Sequence, residues 1–502
     1  MPASRDRRPF ETVGPLYTDL YNLTMAQAAY RLGRHNIKTS STLFVRDNPF
    51  KGGYLIAAGL ADAIDWLRNF KFRPSHLAYL RKQLDKEGTP LFDEEFLAFL
   101  GRSKLEIDLF AVPEGTVVFP NQPLVRVEGP EWQCRLVESA LLNILLHETL
   151  IATAASRYAW VADGDPLFEG GMRRAAGLGS LTAGRAAYIG GFAGTSNVLA
   201  GYLYGIPILG TFAHAWVMQF DDEDDAFDAY AEGMPGNGIF LVDTYNTLNG
   251  VKKAIAVGRK LKARGHKLFG IRLDSGDLAY LSKRARRLLD EAGFTDTSIV
   301  ASNDITPQVM LSLKHEQKAK INVWLIGTFI INGLEKVADG DTLYGGRLSG
   351  AYKLGGIWRD NGSVRPVMKL SDSKAKTTNP GRLDVVRYVD AEGQMVGDML
   401  VDTGTDVRGG AEMIDPLDDT RRKIFGPRMK AERLQVPVFR KGRLVYKAPT
   451  LNDIRARASA QLAALDESHR RLTNPHVYPV GLEKSLYRLK NELITAFKTR
   501  KD

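Results

Sequence analysis

Arg272 and Asp274 stand on either side of Leu273. Successive side chains of an extended strand alternate between faces, so these two point the same way. A guanidinium in that position can grip a carboxylate through two parallel hydrogen bonds. The Asp274 carboxylate can accept from sugar hydroxyls or help hold Mg2+. The plain alternative is an ion pair between the two that serves structure alone. Ser275-Gly276-Asp277 then opens a helical stretch, and free N–H groups at a helix start attract anions. Gly327-Thr328 repeats the device after another apolar run, a small residue followed by a hydroxyl that suits a phosphate. His214 closes the segment Gly210-Thr211-Phe212-Ala213-His214, where an imidazole can act as nucleophile or general base. A structural role is the ordinary one for any single histidine among the 8 in the chain.

Other chemistries leave no trace. The chain has no Walker-type lysine loop, no His-Glu-x-x-His, no Gly-x-Ser-x-Gly elbow and no Gly-x-Gly-x-x-Gly. It also lacks the paired acids followed by Thr-Thr-Gly-x-Thr that mark the commoner phosphoribosyl-binding loop.

The elements that must position these residues read as alternating strands and helices. Short apolar runs at 167–169, 206–210, 239–243, 268–272, 298–302 and 323–327 each stop at small or polar residues. Helical stretches such as 248–264 and 278–292 separate them, the pattern of βα units around a parallel sheet. Ligands of such sheets bind at the carboxyl ends of the strands. Arg173, Arg174, Thr211, His214, Asp243, Thr244, Arg272, Asp274, Ser302, Asn303 and Thr328 all fall there. One polar strand end means little; six in succession predict one shared pocket.

Before this region, a helix over 18–31 capped by Thr18 or Asp19, a strand at 41–46 and a helix opened by Pro74 are expected. Strands at 105–112, 116–119 and 124–128 complete an α+β domain, and a long helix runs from 131 to about 161. Past 370 the chain turns to short strands and two closing helices, 451–465 and 482–497. The second carries Leu486, Leu489, Leu493 and Phe497 at helical spacing, a stripe that predicts packing on the body. The expected divisions are 1–150, 151–370 and 371–502.

Composition sets the bounds. The 502 residues are 44% hydrophobic and 25% charged, as in folded proteins. Cys134 is the single cysteine, which excludes an internal disulfide and fits a reducing compartment. Residues 1–14 are polar and Arg-rich, without the apolar stretch of a signal peptide. The apolar segment 139–155 is interrupted by His147 and Glu148, short of the roughly 20 residues that cross a bilayer, so a buried helix is expected. A cytoplasmic location and no membrane partner follow as expectations. The net charge of +10 comes from 68 Lys+Arg against 58 Asp+Glu, unevenly spread, with 221–225 acidic and 484–501 basic. Without a nucleic-acid-binding signature, that charge is read as general basicity that helps an anionic small substrate, and no nucleic-acid partner is expected.

At family level, Tyr17-Thr18-Asp19-Leu20-Tyr21-Asn22-Leu23-Thr24-Met25 resembles the N-terminal signature of nicotinate phosphoribosyltransferases. Blocks at 46–60, 169–174, 190–192, 195–197, 210–214, 242–245, 270–277, 302–304, 326–328 and 350–354 resemble that family in the same order. The resemblance runs from about Pro15 to Phe497. It implies an irregular or incomplete α/β barrel with an N-terminal α+β domain and a C-terminal extension, in a homodimer with shared active sites. It implies condensation of nicotinate with 5-phosphoribosyl 1-diphosphate, assisted by ATP through a phosphohistidine at His214. Tyr21, Thr211 and Arg272 would contact nicotinate, while Arg173, Arg174 and Thr328 would contact the phosphoribosyl donor. Asp243, Ser302, Asn303 and Gly327 are expected on that donor too, with Asp274 catalytic. Mg2+ would accompany the diphosphate, its direct protein ligands left open. One position departs: some relatives carry an acid after the histidine, where this chain has Ala215. The rival readings are a related enzyme for nicotinamide or quinolinate, a barrel that binds phosphorylated ligands without catalysis, and a nucleic-acid binder.

Overall fold

β-branched and apolar runs become six parallel strands in the computed structural model. It describes Phe10 and residues 12–336, 343–373, 376–407 and 410–499. The strands lie in the order Gly194–Thr195, Leu167–Glu169, Val323–Ile326, Ser298–Ala301, Gly270–Leu273, Ile239–Leu241. Every neighbouring pair is parallel, with Leu241 opposite Arg272, Ile271 opposite Ile299, and Trp324 opposite Leu167. The last strand along the chain lies beside the first, as in a sheet curling towards a barrel. Phe240, Ile271, Leu273, Ala301, Trp324 and Ile326 are buried in it. Helix Thr247–Ala263 is capped by Asn246 and helix Leu278–Glu291 by Asp277, each side chain accepting an N–H of the first turn. Ala279, Ser282, Ala285 and Leu289 form the buried stripe of the second helix. Gly250 allows the first to lie close, because a Cβ there would come within 2.2 Å of the Val242 carbonyl oxygen.

The strand expected at 206–210 does not form. Ile208 makes only an isolated parallel bridge to Thr195. Pro207 lacks the N–H that would continue the ladder, although its carbonyl accepts from Thr195 N at 3.0 Å. The short strand Gly194–Thr195 takes the place beside Leu167–Glu169 instead. The barrel therefore stays open between Ile208 and Ile239–Leu241, and the Asn237 side-chain amide donates to the Gly210 carbonyl across the gap at 3.3 Å. Phe212, Phe227, Tyr230 and Phe240 pack behind it, with ring centroids 4.6 to 6.2 Å apart.

These strands belong to one compact unit, residues 151–346; a second unit contains the chain before 150 and after 347. In the second, an antiparallel sheet runs Val364–Pro366, Gly350–Trp358, Lys38–Val45, Val125–Pro130, Asp108–Ala111, Val436–Arg440, Arg443–Leu444. Strand Val436–Arg440 thus brings the far end of the chain into the N-terminal sheet. A six-stranded sheet built from residues 383–483 packs Val386, Tyr388, Met399, Val401, Met413 and Phe425 into its own core. Helix Lys484–Thr499 seats Leu486 on Leu383, Leu400 and Leu482, with Leu489 beside them. The expected stripe is buried only at that end: Leu493 is half-buried and Phe497 is 39% exposed.

The N-terminal signature is a polar anchor. Asp19 stands at the N-cap position of helix Leu20–Arg31, but its carboxylate accepts from Ser139 Oγ rather than from the first turn. The Asn22 amide donates to Thr18 Oγ1 at 3.1 Å and Ser139 Oγ at 3.2 Å, and the Tyr17 hydroxyl donates to Asn143 Oδ1 at 2.6 Å. The run Glu131–Ala162 is long and apolar enough to cross a bilayer, yet 67% of its most apolar window is buried inside the protein. Cys134 is buried, and burial pushes its thiol up to about 12.

Candidate active site

Arg272 is the hub of the strand-end cluster. Its Nε donates to Ser302 Oγ at 2.8 Å, Nη1 to Thr211 Oγ1 at 3.2 Å, and Nη2 to Asp274 Oδ1 at 2.8 Å. A guanidinium has five N–H groups, so these bonds leave one on each terminal nitrogen. Ser302 Oγ also donates to Asp274 Oδ1. Burial pushes the Asp274 carboxyl up, but the Ser302 hydrogen bond and the Arg272 charge outweigh it and hold the group below the usual carboxylate range.

Two loops are pinned together beside this hub. Asp243 Oδ2 accepts from Asp274 N at 3.0 Å and from Ser275 Oγ at 2.6 Å. Asp243 Oδ1 is buried and has no hydrogen-bond partner. His214 opens the short helix His214–Val217, held by the buried Phe212 ring before it and by Trp216 Nε1, which donates to the Ala226 carbonyl at 3.0 Å. Its ring is 40% exposed, with Nδ1 3.1 Å from Thr244 Oγ1 and Nε2 3.8 Å from Asp274 Oδ2. Ala215 is exposed. The imidazole thus meets a threonine 30 residues further along the chain.

A second group gathers at the ends of Leu167–Glu169 and Val323–Ile326. Glu169 is fully buried, accepting from Thr195 Oγ1 at 2.5 Å and from the Gly171 N–H, and burial raises its carboxyl. It shapes the turn that presents Arg173 and Arg174, both exposed and both unpaired among the described residues. Gly171 has no room for a side chain: a Cβ would meet the Gly327 carbonyl at 2.6 Å. The Asn332 amide donates to the Arg174 carbonyl at 3.3 Å and the Thr328 carbonyl at 3.0 Å, tying the arginine turn to helix Thr328–Ile331. Asn303 is exposed at a φ of 118°, a rare conformation for a side-chain-bearing residue.

The structure therefore brings Thr211, Asp243, Arg272, Asp274 and Ser302 into one hydrogen-bonded cluster, with His214 beside it, 3.8 Å from Asp274 and in hydrogen-bond contact with Thr244. Arg173, Arg174, Gly327 and Thr328 form the second group. Tyr21 belongs to the other unit, where it is 47% exposed on helix Leu20–Arg31. Sequence reasoning missed Glu169 and Thr195, whose pairing links two strands 26 residues apart. It also missed Arg46, Lys353 and Lys376, which line a recess in the second unit with three threonines and no acid. The spacing of these cations gives no sign of it. A cleft of about 1260 Å³ lies in that unit too. Arg68 and Arg102 on its walls end helices, where a cation compensates the helix dipole. Among the described residues no three His, Cys, Asp or Glu side chains converge to hold a metal ion.

Comparison with known proteins covers nearly the whole chain. The Nicotinate phosphoribosyltransferase (NAPRTase) family profile matches residues 167–394. The N-terminal and C-terminal domain profiles of the same enzyme match residues 16–146 and 382–490. The nicotinate phosphoribosyltransferase of Bacillus subtilis is 39% identical over 492 residues, covering 97% of this chain and 96% of the relative. The human one is 31% identical over 550 residues, covering 98% and 99%. The crystal structure of human nicotinic acid phosphoribosyltransferase superposes with a TM-score of 0.81 at 30% identity, over 95% of this chain and 99% of that one.

Proposed function

The chain belongs to the nicotinate phosphoribosyltransferase family, and from that premise we propose that it joins nicotinate to 5-phosphoribosyl 1-diphosphate, yielding nicotinate mononucleotide and diphosphate for NAD biosynthesis. The observation that carries the reading is the pair of free N–H groups on Arg272. They present one donor from each terminal nitrogen, a fork that matches a ring carboxylate. Nicotinamide would turn an amide donor towards one of those donors.

In the transfer, the pyridine nitrogen bonds to ribose C1 as the C1–O bond to diphosphate breaks and the electron pair leaves with the diphosphate. Positive charge builds on the sugar in between. Asp274, kept ionised by Ser302 and Arg272, stabilises it electrostatically. Arg173, Arg174 and the start of helix Thr328–Ile331 supply cationic and N–H groups for the donor's phosphates, with Gly327, Ser302 and Asn303 beside them. The buried, unpartnered Asp243 Oδ1 fits a magnesium ion that arrives with the diphosphate, or its water shell. Such an ion would offset the charge of the diphosphate leaving group.

ATP is consumed through a phosphohistidine at His214 in the same proposal. What supports it is a partly exposed imidazole whose two nitrogens face a hydroxyl and a carboxylate. A homodimer with sites completed across subunits is proposed as well, supported by Tyr21, an exposed aromatic on a firmly anchored helix outside the strand-end unit.

The test is turnover of the purified protein on nicotinate, nicotinamide and quinolinate, each with and without ATP. Nicotinate is expected to be used best, and ATP to raise its rate while being hydrolysed. Equal or better turnover of nicotinamide would sink the assignment of Arg272, and turnover indifferent to ATP would remove the phosphohistidine.

A further inference from the structure

The environment of His214 contains one group that the family resemblance does not assign. Thr244 Oγ1 lies 3.1 Å from His214 Nδ1, and Asp274 Oδ2 faces Nε2 at 3.8 Å. At 3.8 Å the approach to Asp274 is too long for a hydrogen bond, so the ring is held by the short contact with Thr244. A hydroxyl oxygen can accept from Nδ1–H, which puts the lone pair on Nε2. Thr244 is well fixed for this task. The residue before it, Asp243, is tied by one carboxylate oxygen to both Asp274 N and Ser275 Oγ. The two loops that flank the imidazole therefore cannot drift apart without breaking those bonds.

We propose that Thr244 is the positioning residue for His214, accepting from Nδ1–H and so aiming Nε2 as the nucleophile. This rests on the phosphohistidine reading of His214. Nε2 attacks the terminal phosphorus of ATP, the bond from that phosphorus to the ADP oxygen breaks, and ADP leaves with the electron pair. Nδ1 keeps its proton on the Thr244 oxygen, and the nearby Asp274 carboxylate stabilises the positive charge that develops on the ring.

Two substitutions separate this role from packing. Thr244→Val keeps the shape of the side chain and loses the hydroxyl, whereas Thr244→Ser keeps the hydroxyl and loses the methyl. The readout is the rate of acid-labile, alkali-stable label transfer from terminally labelled ATP to the intact protein. Wild type and Thr244→Ser are expected to label at similar rates, and Thr244→Val about tenfold more slowly, as befits the loss of one hydrogen bond. Thermal melts that superimpose for all three would exclude misfolding. Label transfer by Thr244→Val at the wild-type rate overturns the proposal, and so does an equal loss in both variants, which would make the methyl group responsible. A wild-type protein that turns over nicotinate but takes no label overturns the phosphohistidine reading, and the role of Thr244 with it.

Discussion

At Arg272 the geometry converts a local sequence pattern into a measurable claim. The Arg-x-Asp spacing on a strand was legible because both partners lie within one turn of the pleat. The bonds to Ser302 and Thr211 were not, since they span 30 and 61 residues and depend on which strands become neighbours. The same holds for Thr244: its place at a strand end could be read, its contact with His214 could not. Arg272→Ala removes the carboxylate fork and leaves Asp274 without its cation. Loss of a buried charge-assisted pair costs about 2–5 kcal/mol, so KM for nicotinate should rise about 30-fold or more. Arg272→Lys should recover little, because an ammonium cannot hold Ser302, Thr211 and Asp274 while also presenting a fork. Steady-state kinetics on nicotinate checks both; unchanged constants for either variant would free Arg272 from base binding.

Elements explain why the barrel opens where it does. The run 206–210 has the apolar character of a strand, but Pro207 removes a ladder donor and the chain leaves the sheet after one bridge. Apolar content is readable from sequence, whereas strand neighbours are set by tertiary packing. The loop that carries Thr211 and His214 is anchored by Phe212 in its aromatic cluster. Phe212→Ala should cost about 3 kcal/mol of stability by urea unfolding, from lost burial and the cavity left behind. It should lower kcat as well, by loosening His214. A loss of stability with kcat intact would mean the loop holds its geometry without the ring.

The C-terminal helix makes a separate claim through Lys490. That residue is buried, and its ammonium donates to Asn379 Oδ1 at 2.8 Å. Burial pushes Lys490 down to about 8, whereas an unfolded lysine titrates near about 10.4. Between those values the unfolded chain holds the extra proton, so stability rises with pH across the window from about 8 to about 10.4. Below it the buried charge is a constant penalty. Lys490→Met lacks this titration. Its unfolding free energy relative to wild type should therefore fall by roughly 1–3 kcal/mol over the window. A difference that stays flat from pH 7.5 to 10.5 would show that Lys490 is not desolvated in the folded chain.

For the whole molecule the open question is where Tyr21 acts. The hydrogen-bonded cluster around Arg272 lies within residues 151–346, while Tyr21 stands exposed on a helix of the other unit. An anchored helix with an outward aromatic suits a stacking face for a pyridine ring. If that face serves a partner's site in a two-fold dimer, Tyr21→Ala and His214→Ala damage different components of the same composite site. In a mixed dimer, the His214 of one chain then meets the Tyr21 of the other, and one of the two sites is intact. Random exchange makes half of the dimers mixed, so activity should recover to about a quarter of wild type. If each site instead belongs to one chain, both sites of a mixed dimer keep one lesion and mixing adds nothing to the mean of the parents. The measurement is ATP-stimulated turnover before and after denaturant-assisted subunit exchange, with exchange demonstrated by two affinity tags on the same dimer. Recovery near a quarter establishes a site shared between subunits. Activity at the parental mean, with exchange complete, assigns Tyr21 to its own chain or to no site at all.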